Sequence, residues 1–248
     1  MPCLLLSEGG LVKTRRFRSP QYVGDPNNAI RIFNEKEADE LIVIDIGASR
    51  HGRGPDLPLI ADFAGECFMP VTYGGGVTTV ADAARILALG VEKVCVQSAV
   101  ARSPRLVSDL ASRFGSQAVV VAVDVRRGRW GREEAMITAP GERSIRDWET
   151  WMSSLVDAGA GEVLLTAVDR EGTLGGVDVD LIHRASSVID VPLIANGGVS
   201  SIEDIGRAFA AGASAVAAGA YFVFYGPHRA VLISYPDEDA FQRLASTP

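Results

Sequence analysis

Short apolar segments alternate with segments of helical periodicity along the chain. Segments such as "ELIVIDI", "VVVAVDV" and "EVLLTAV" are apolar almost throughout, which indicates parallel strands buried on both faces. Between them, "DAARILALG" and "SIEDIGRAFAAG" place apolar residues at helical spacing and end at Gly90 and Gly212, as helix C-caps often do. Counting "PCLLL" near the start and "SAVAAGA" near residue 218 gives eight strands, each followed by a helical stretch. The pattern predicts one α/β domain over 1–248, a (β/α)8 TIM barrel rather than an open doubly wound sheet.

A longer repeat is superimposed on this alternation. The segment "MPVTYGGGVTTVADAARILALG" aligns with "VPLIANGGVSSIEDIGRAFAAG", which puts Gly75 and Gly197 122 positions apart (197 − 75). Glu40 and Glu162 are also 122 positions apart (162 − 40). The repeat predicts two duplicated half-barrels of four βα units each. It also makes the first and fifth strands equivalent, with Leu5 on one where Asp124 stands on the other.

Composition narrows the class of protein. A chain of 248 residues with 47% hydrophobic content can bury one large core. A formal net charge of −7 argues against nucleic acid as a partner. No apolar run approaches the ~18 residues of a membrane span, and no signal peptide opens the chain, so we expect a cytoplasmic protein away from the membrane. The widely spaced Cys3, Cys67 and Cys95 and three scattered histidines predict no metal site, and no cofactor is expected.

Glycines follow several of the predicted strands at the end where barrel proteins bind their ligands. Gly197 and Gly198 follow the seventh strand, and Gly219 and Ala220 follow the eighth. Backbone N–H groups near a helix start can hold an anion without a charged side chain, and phosphate often binds after these strands. By the repeat, Gly74–Gly76 and Gln97–Ser98 form an equivalent site across the mouth. Two facing sites predict a ligand with a phosphate at each end, although any single Gly-Gly pair could serve only as a turn.

Asp124 lies between the two predicted sites, where it could act as a general acid or base on the middle of such a ligand. The alternative is a carboxylate that caps a loop or pairs with Arg126 or Arg127. Other acids expected at the same end are Asp45, Asp169 and Glu171. At the opposite end, Glu40, Lys93 and Glu162 each precede an apolar strand, and taken alone they indicate solvated strand ends.

Numerous collinear motifs resemble one family. The segments "PCLLL", "GGLVK", "GDP", "YGGGV", "FGSQAVVVAVD", "GAGEVLLTAVDREGT" and "ANGG", from residue 2 to about residue 224, are similar to HisF, the cyclase subunit of imidazole glycerol phosphate synthase. In that family a glutaminase subunit, HisH, docks on the bottom of the barrel to form a heterodimer. Ammonia then passes through the barrel to a bis-phosphorylated ribonucleotide, which is cleaved and cyclised to imidazole glycerol phosphate and an aminoimidazole carboxamide ribotide.

The resemblance implies roles for individual residues. Asp124 matches one of the two catalytic aspartates, and Lys13 matches the lysine of the mobile first loop. The phosphate-binding positions are matched by Gly75, Gly76, Gln97, Ser98, Gly172, Gly197 and Gly198, with Gln97 and Ser98 where Asn and Thr are usual. Glu40, Lys93 and Glu162 match three of the four charged residues that gate the ammonia passage, while the fourth, an arginine upstream of the Pro-Cys pair, has no counterpart here.

Leu5 departs from the family, which has its other catalytic aspartate at this position. Leucine cannot exchange a proton, and the loss of one acid or base typically costs ~10²–10⁴ in rate. The segments "CLLL", "RIFNEKEADEL", "AGECFMP" and "FVFYGPHRAVLISYP" resemble a specialised HisF paralogue, the WbuZ-type, glycosyl amidation-associated group. That group occurs beside a HisH-like glutaminase and a sugar amidotransferase in gene clusters for surface polysaccharides such as lipopolysaccharide O-antigen.

Three functions are therefore compared. The first is ammonia delivery for converting an N-acetyl sugar group to an acetamidino group, which the WbuZ-type resemblance implies. The second is an imidazole glycerol phosphate synthase cyclase of histidine biosynthesis with a rearranged acid. The third is a non-catalytic scaffold that activates a glutaminase. A HisA-type isomerase is disfavoured, since it too needs a carboxylate on the first strand.

Overall fold

The computed structural model describes residues 1–128 and 131–245. The strands are β1 Cys3–Ser7, β2 Gly10–Arg15, β3 Arg18–Gly24, β4 Leu41–Asp45, β5 Val71–Gly74, β6 Lys93–Val96, β7 Val119–Arg127, β8 Glu133–Ala135, β9 Glu162–Ala167, β10 Leu193–Asn196, β11 Ala215–Ala217, β12 Phe224–Tyr225 and β13 Ala230–Val231. The helices are α1 Pro26–Glu35, α2 Leu57–Glu66, α3 Val80–Leu87, α4 Ser98–Arg102, α5 Arg105–Phe114, α6 Trp148–Asp157, α7 Val179–Ser186, α8 Ile202–Ala210, α9 Ala220–Val223 and α10 Glu238–Ala245, with a 3₁₀ turn at Ser116–Ala118.

Eight of the strands form the wall of a barrel. They pair in parallel in the order β1, β4, β5, β6, β7, β9, β10, β11. A parallel bridge between Pro2 and Ala218 joins the last strand to the first, and the Cys3 N–H donates to the Ala218 carbonyl at 2.8 Å. The predicted (β/α)8 barrel is confirmed.

The strands are apolar throughout because both of their faces are covered. Outward-facing side chains pack against the helices in one large cluster. Inward-facing side chains form a second cluster inside the barrel, which comprises Cys3, Ile42, Cys95, Val120, Leu164, Ile194 and Ala217. Successive residues of a strand point to opposite faces, so seven of the eight wall strands, all except β5, contribute to both clusters.

The duplication is visible in how two helices begin. Asp82 at the start of α3 pairs with Arg85 at 2.7 Å, and Asp204 at the start of α8 pairs with Arg207 in the same i, i+3 arrangement. The two aspartates are 122 positions apart (204 − 82). Burial alone would raise the pKa of Asp204, but hydrogen bonds from Ser200 and Arg207 hold that pKa below its ordinary value. Both half-barrels thus start this helix with the same buried carboxylate.

Two regions depart from the simple alternation that the sequence predicted. The chain between β1 and α1 forms an antiparallel hairpin, β2–β3. After β11 the expected helix is only the four-residue α9, followed by the β12–β13 hairpin. Tyr235 then packs against Phe33 and Phe222 on the outer wall and donates its hydroxyl to Asp39 at 2.8 Å. Within residues 1–128 and 131–245, no helix has the length and apolar character needed to cross a membrane.

Candidate functional site at the mouth of the barrel

A cavity of about 320 Å³ opens at the carboxyl ends of the barrel strands. Its lining includes the predicted residues Lys13, Gly75, Gly76, Gln97, Ser98 and Asp124. A smaller recess of about 10 Å³ lies beside it, lined in part by Lys13, Gly172, Gly197, Gly198, Gly219 and Ala220. The structure therefore brings every residue predicted to bind phosphate to one end of the barrel.

The interior of the barrel is ordered in levels because alternate residues of each strand point inward. From the bottom to the mouth, the inward-facing residues are Lys93 and Cys95 on β6 and then Gln97, which follows β6. On β9 they are Glu162, Leu164 and Thr166. A charged level at the bottom is thus followed by an apolar level and then by a polar level at the mouth. Cys95 and Leu164 also line the mouth cavity, so the cavity reaches down to the apolar level.

Asp124 is the central acid of the mouth. It is buried on β7, and its Oδ2 accepts a hydrogen bond from Gln97 Nε2. Burial raises the pKa of Asp124 to about 7; the charge of Glu171 adds to this rise, and hydrogen bonds from Thr166 and Gln97 oppose it. Asn196 Nδ2 in turn donates to Thr166 Oγ1 at 3.3 Å. A carboxyl with such a pKa can give or take a proton near neutral pH.

The alternative pairing of Asp124 with an adjacent arginine is wrong. Arg126 Nη2 pairs with Glu134 Oε1 at 2.9 Å. The backbone N–H of Arg127 donates to Asp169 Oδ2 at 2.7 Å, so Asp169 serves the neighbouring loop.

Leu5 faces the same cavity from the other side of the barrel. It is paired in register with Ile44 of β4, and both side chains pack against the apolar cluster inside the barrel. The nearby Asp45 accepts hydrogen bonds from the backbone N–H groups of Gly47 and Ala48 at 2.8 and 3.0 Å, so it shapes its own loop. The mouth consequently has one polar wall, on β6, β7 and β9, and one apolar wall, on β1 and β4.

The paired glycines are required by close packing of the backbone. A Cβ on Gly75 would lie 2.5 Å from the Asp45 carbonyl oxygen, and one on Gly197 would lie 2.7 Å from that of Ala167. Their φ angles of +120° and +100° also disfavour other residues. The two half-barrels therefore repeat the same constraint, which the fold needs whether or not phosphate binds; the phosphate role of these glycines stays a prediction.

Guanidinium groups at the cavity were missed by the sequence reasoning. Arg50, Arg53 and Arg102 line the cavity on the side of the Gly75–Gly76 pair. Arg102 Nε pairs with Glu142 Oε1 at 2.6 Å. Arg50 and Arg53 lie in the loop between β4 and α2, and Arg102 ends the short helix α4, so no spacing indicated them beforehand. Their charge gives this side of the mouth a means of attracting phosphate beyond backbone N–H groups.

The β2–β3 hairpin bends over the mouth and is held there by Glu171. Lys13 is buried with its Nζ 3.5 Å from Glu171 Oε1, and Thr14 Oγ1 donates to Glu171 Oε2 at 3.0 Å. The backbone N–H of Phe17 donates to the same oxygen at 3.3 Å. A Cβ on Gly219 would lie 2.0 Å from Lys13 Nζ, which shows that the lysine occupies the small recess itself.

The three charged residues at the bottom form one cluster. Lys93 Nζ lies 3.0 Å from Glu40 Oε1 and 2.7 Å from Glu162 Oε1. Burial lowers the pKa of Lys93, but the hydrogen bonds that it donates to both carboxylates outweigh burial and raise that pKa above its ordinary value. The reading of these residues as separate, solvated strand ends is wrong; the structure joins them across β4, β6 and β9. Their part in gating ammonia stays a prediction.

A closed barrel with duplicated halves, paired glycine sites at the mouth and an ion-paired cluster at the bottom defines a HisF-like barrel protein. The family model described as "Histidine biosynthesis protein" matches residues 1–228, and the chain belongs to this family. In the part of the chain that the structure describes, no group of three or more His, Cys, Asp and Glu side chains is arranged to hold a metal ion.

Several relatives are similar along nearly their whole length. The chain is 50% identical over 242 residues to "Putative imidazole glycerol phosphate synthase subunit hisF2" of Pseudomonas aeruginosa, with 96% of this chain and 95% of the relative covered. It is 44% identical over 241 residues to "Putative imidazole glycerol phosphate synthase subunit hisF3" of Vibrio vulnificus, with 95% and 92% covered. It is 37% identical over 225 residues to "Imidazole glycerol phosphate synthase subunit HisF" of Alkaliphilus metalliredigens, with 91% and 89% covered.

The alignments differ in how much of the chain they include. Coverage of 95–96% by the hisF2 and hisF3 relatives exceeds the span 1–228, so these alignments extend into the C-terminal segment. The alignment with the Alkaliphilus HisF covers 91% of the chain, which is no more than the share that the family match covers.

Proposed function

We propose that this chain is the HisF-like subunit of a glutamine amidotransferase complex. It conducts ammonia from a HisH-like glutaminase through the barrel for amidation of an N-acetyl sugar in surface-polysaccharide biosynthesis. The observation that carries the proposal is the contrast between the ends of the barrel: Glu40, Lys93 and Glu162 are joined in one ion-paired cluster at the bottom, whereas Leu5 replaces one of the two acids expected at the mouth.

The interior of the barrel favours the passage of an uncharged molecule over that of an ion. Above the Lys93 cluster, the apolar level of Cys3, Cys95 and Leu164 forms the floor of the mouth cavity. Transfer of a charged ammonium ion through such a level is costly, whereas neutral ammonia carries no charge to desolvate. The levels therefore favour passage of ammonia over ammonium.

The bottom surface offers an anchor for a glutaminase partner. Phe68, 88% exposed, lies on the loop that leads into β5. Its backbone N–H donates to Asn34 Oδ1 at 3.0 Å, and Asn34 Nδ2 donates to the Glu66 carbonyl at 2.6 Å, so the loop is held from two sides. Since Phe68 lies three residues before Val71, where β5 begins, and β5 pairs with β6 at Lys93, the aromatic ring lies at the same end of the barrel as the charged cluster. A fixed, exposed aromatic side chain is typical of interface hot spots.

A second candidate, the cyclase reaction of imidazole glycerol phosphate synthase, is favoured by a different observation. Asp124 has a pKa of about 7, and Glu171 places a second carboxylate on the same cavity. Arginines and paired glycines surround the same space. If Glu171 could replace the acid missing at Leu5, the original reaction would persist.

The two candidates are separated by turnover of the bis-phosphorylated ribonucleotide with ammonium salts at high pH, where no glutaminase is needed. We expect no turnover by the wild type, measurable turnover by Leu5→Asp, and no turnover by the matched control Leu5→Asn. Turnover by the wild type near that of a HisF cyclase would instead favour histidine biosynthesis.

A Lys93 variant, in the complex with a glutaminase and a sugar amidotransferase, tests whether the barrel conducts ammonia. In Lys93→Met we expect glutamine-dependent amidation to fall by about tenfold or more while amidation supported by ammonium salts is retained. An equal loss with both nitrogen sources would contradict a conduit through the barrel.

A further inference from the structure

The β12–β13 hairpin exposes apolar side chains beside the mouth. Tyr225, Val231 and Leu232 are 67%, 45% and 54% exposed, and none is among the residues that line the mouth cavities. Arg229 fixes the hairpin to the rim, since its Nη2 donates to the Gly172 carbonyl at 3.0 Å and its guanidinium lies 4.6 Å from the centre of the Phe224 ring. The apolar patch is thus held in place but cannot serve a small ligand inside the cavity.

The rim next to this patch is cationic. The tip of the β2–β3 hairpin exposes Arg15, Arg16 and Arg18, and Arg16 Nε donates to the Asp169 carbonyl at 3.0 Å. The loop that follows β9 therefore has Arg16 on one side and Arg229 on the other. In a chain of net charge −7, this concentration of arginine favours a partner whose facing surface is acidic.

Part of the patch lies beyond the end of the family match. Val231 and Leu232 follow residue 228, where that match ends, and the hisF2 and hisF3 alignments extend beyond this point.

We propose that the β12–β13 hairpin and the arginine tip of β2–β3 form the docking surface for the enzyme that consumes the ammonia, a sugar-amidating enzyme with an acidic and partly apolar surface. This inference rests on the proposed function. Ammonia that travels up the barrel leaves at the mouth, so a consumer seated on the rim receives it before it escapes. An apolar centre surrounded by charges is the usual anatomy of a specific interface.

The test measures binding of a sugar amidotransferase from surface-polysaccharide biosynthesis to the complex of this chain with a HisH-like glutaminase. The variant is Tyr225→Ala combined with Leu232→Ser, and the matched control is Phe209→Ser, a 44% exposed aromatic on the outer face of α8. We expect the hairpin variant to weaken binding by about tenfold or more, and the control to leave it unchanged. Arg18→Gln should weaken binding at low salt and reduce its salt dependence.

Glutamine-dependent amidation in the same mixtures separates this inference from the proposed function. Wild-type affinity and amidation in the hairpin variant would overturn the docking surface and leave the function standing. Absence of glutamine-dependent amidation with the wild type, when the amidotransferase works with ammonium salts, would overturn both. A dimer of the chain, or binding to anionic lipid vesicles, that the hairpin variant abolishes while amidotransferase binding persists would assign the patch to another partner and overturn the inference.

Discussion

Protonation of Asp124 makes the stability of the chain depend on pH in a direction opposite to that of an ordinary carboxylate. Burial raises its pKa from 3.8 to about 7, so the folded chain retains a proton that the unfolded chain has released. Between about pH 4 and pH 7, folding takes up this proton. The stabilisation attributable to Asp124 is therefore complete below about pH 4 and is lost as the pH rises through about 7.

The expected magnitude follows from the size of the shift. One pKa unit corresponds to about 1.4 kcal/mol, and linkage over the interval from about pH 5 to about pH 8 gives a loss of roughly 2.5 kcal/mol in the free energy of unfolding. Asp124→Asn keeps the shape of the side chain and an oxygen that can accept from Gln97, but it does not titrate. The difference between wild type and variant isolates Asp124 from all other titrating groups.

Urea unfolding of both proteins, followed by fluorescence in steps of pH, measures this difference. We expect the wild type to lose roughly 2.5 kcal/mol relative to Asp124→Asn between about pH 5 and about pH 8. A carbon NMR titration of the Asp124 carboxyl should show the same midpoint near pH 7. A constant difference across the pH range would refute the argument that burial controls this carboxyl.

Three further predictions concern the fold, the mouth and the bottom surface. Asp204→Ala should lower the free energy of unfolding by about 1–3 kcal/mol in urea titrations, because it removes a buried carboxylate that accepts hydrogen bonds from Ser200 and leaves Arg207 without its partner. Gly219→Ala should expel Lys13 from the recess, since the new Cβ would lie 2.0 Å from Lys13 Nζ, and limited proteolysis of the β2–β3 hairpin should become faster. Phe68→Ala should weaken binding of the glutaminase by about tenfold, measured by calorimetry against Tyr22→Ala, an exposed aromatic at the opposite end.

Each of these has a clear contrary result. An unchanged free energy of unfolding in Asp204→Ala would show that the buried carboxylate of Asp204 does not stabilise the start of α8. Equal proteolysis of Gly219→Ala would show that the lysine does not hold the hairpin. Equal glutaminase binding by the Phe68 and Tyr22 variants would remove the bottom face as the docking surface.

The barrel itself could be predicted because its strands are buried on both faces, so segments such as 119–123 are apolar without interruption. The repeat of 122 positions was visible because Asp82 and Asp204 begin equivalent helices with the same buried carboxylate. Asp124 stood out for a related reason, as a charge at the end of an otherwise apolar strand.

Other parts of the site left no pattern in the sequence. Thr166 and Asn196 are single polar residues at strand ends, and the register of β7, β9 and β10 aligns them with Asp124. The clustering of Lys93 with Glu40 and Glu162 depends on contacts across strands, and spacing alone favoured solvated ends. The β2–β3 hairpin was hidden because "TRRFRSP" carries charges that indicate a loop.

The position of Lys13 has a kinetic consequence. The recess at Gly219 measures about 10 Å³ with the lysine inside it, so a phosphate group can occupy it only after Lys13 leaves and the contacts of the hairpin with Glu171 open. The observed rate of ligand binding should therefore level off at the opening rate as ligand concentration increases. Under the proposed function, ammonia arrives from the opposite end of the barrel and does not depend on this opening. Two reactants would then reach the mouth by routes that open independently of each other.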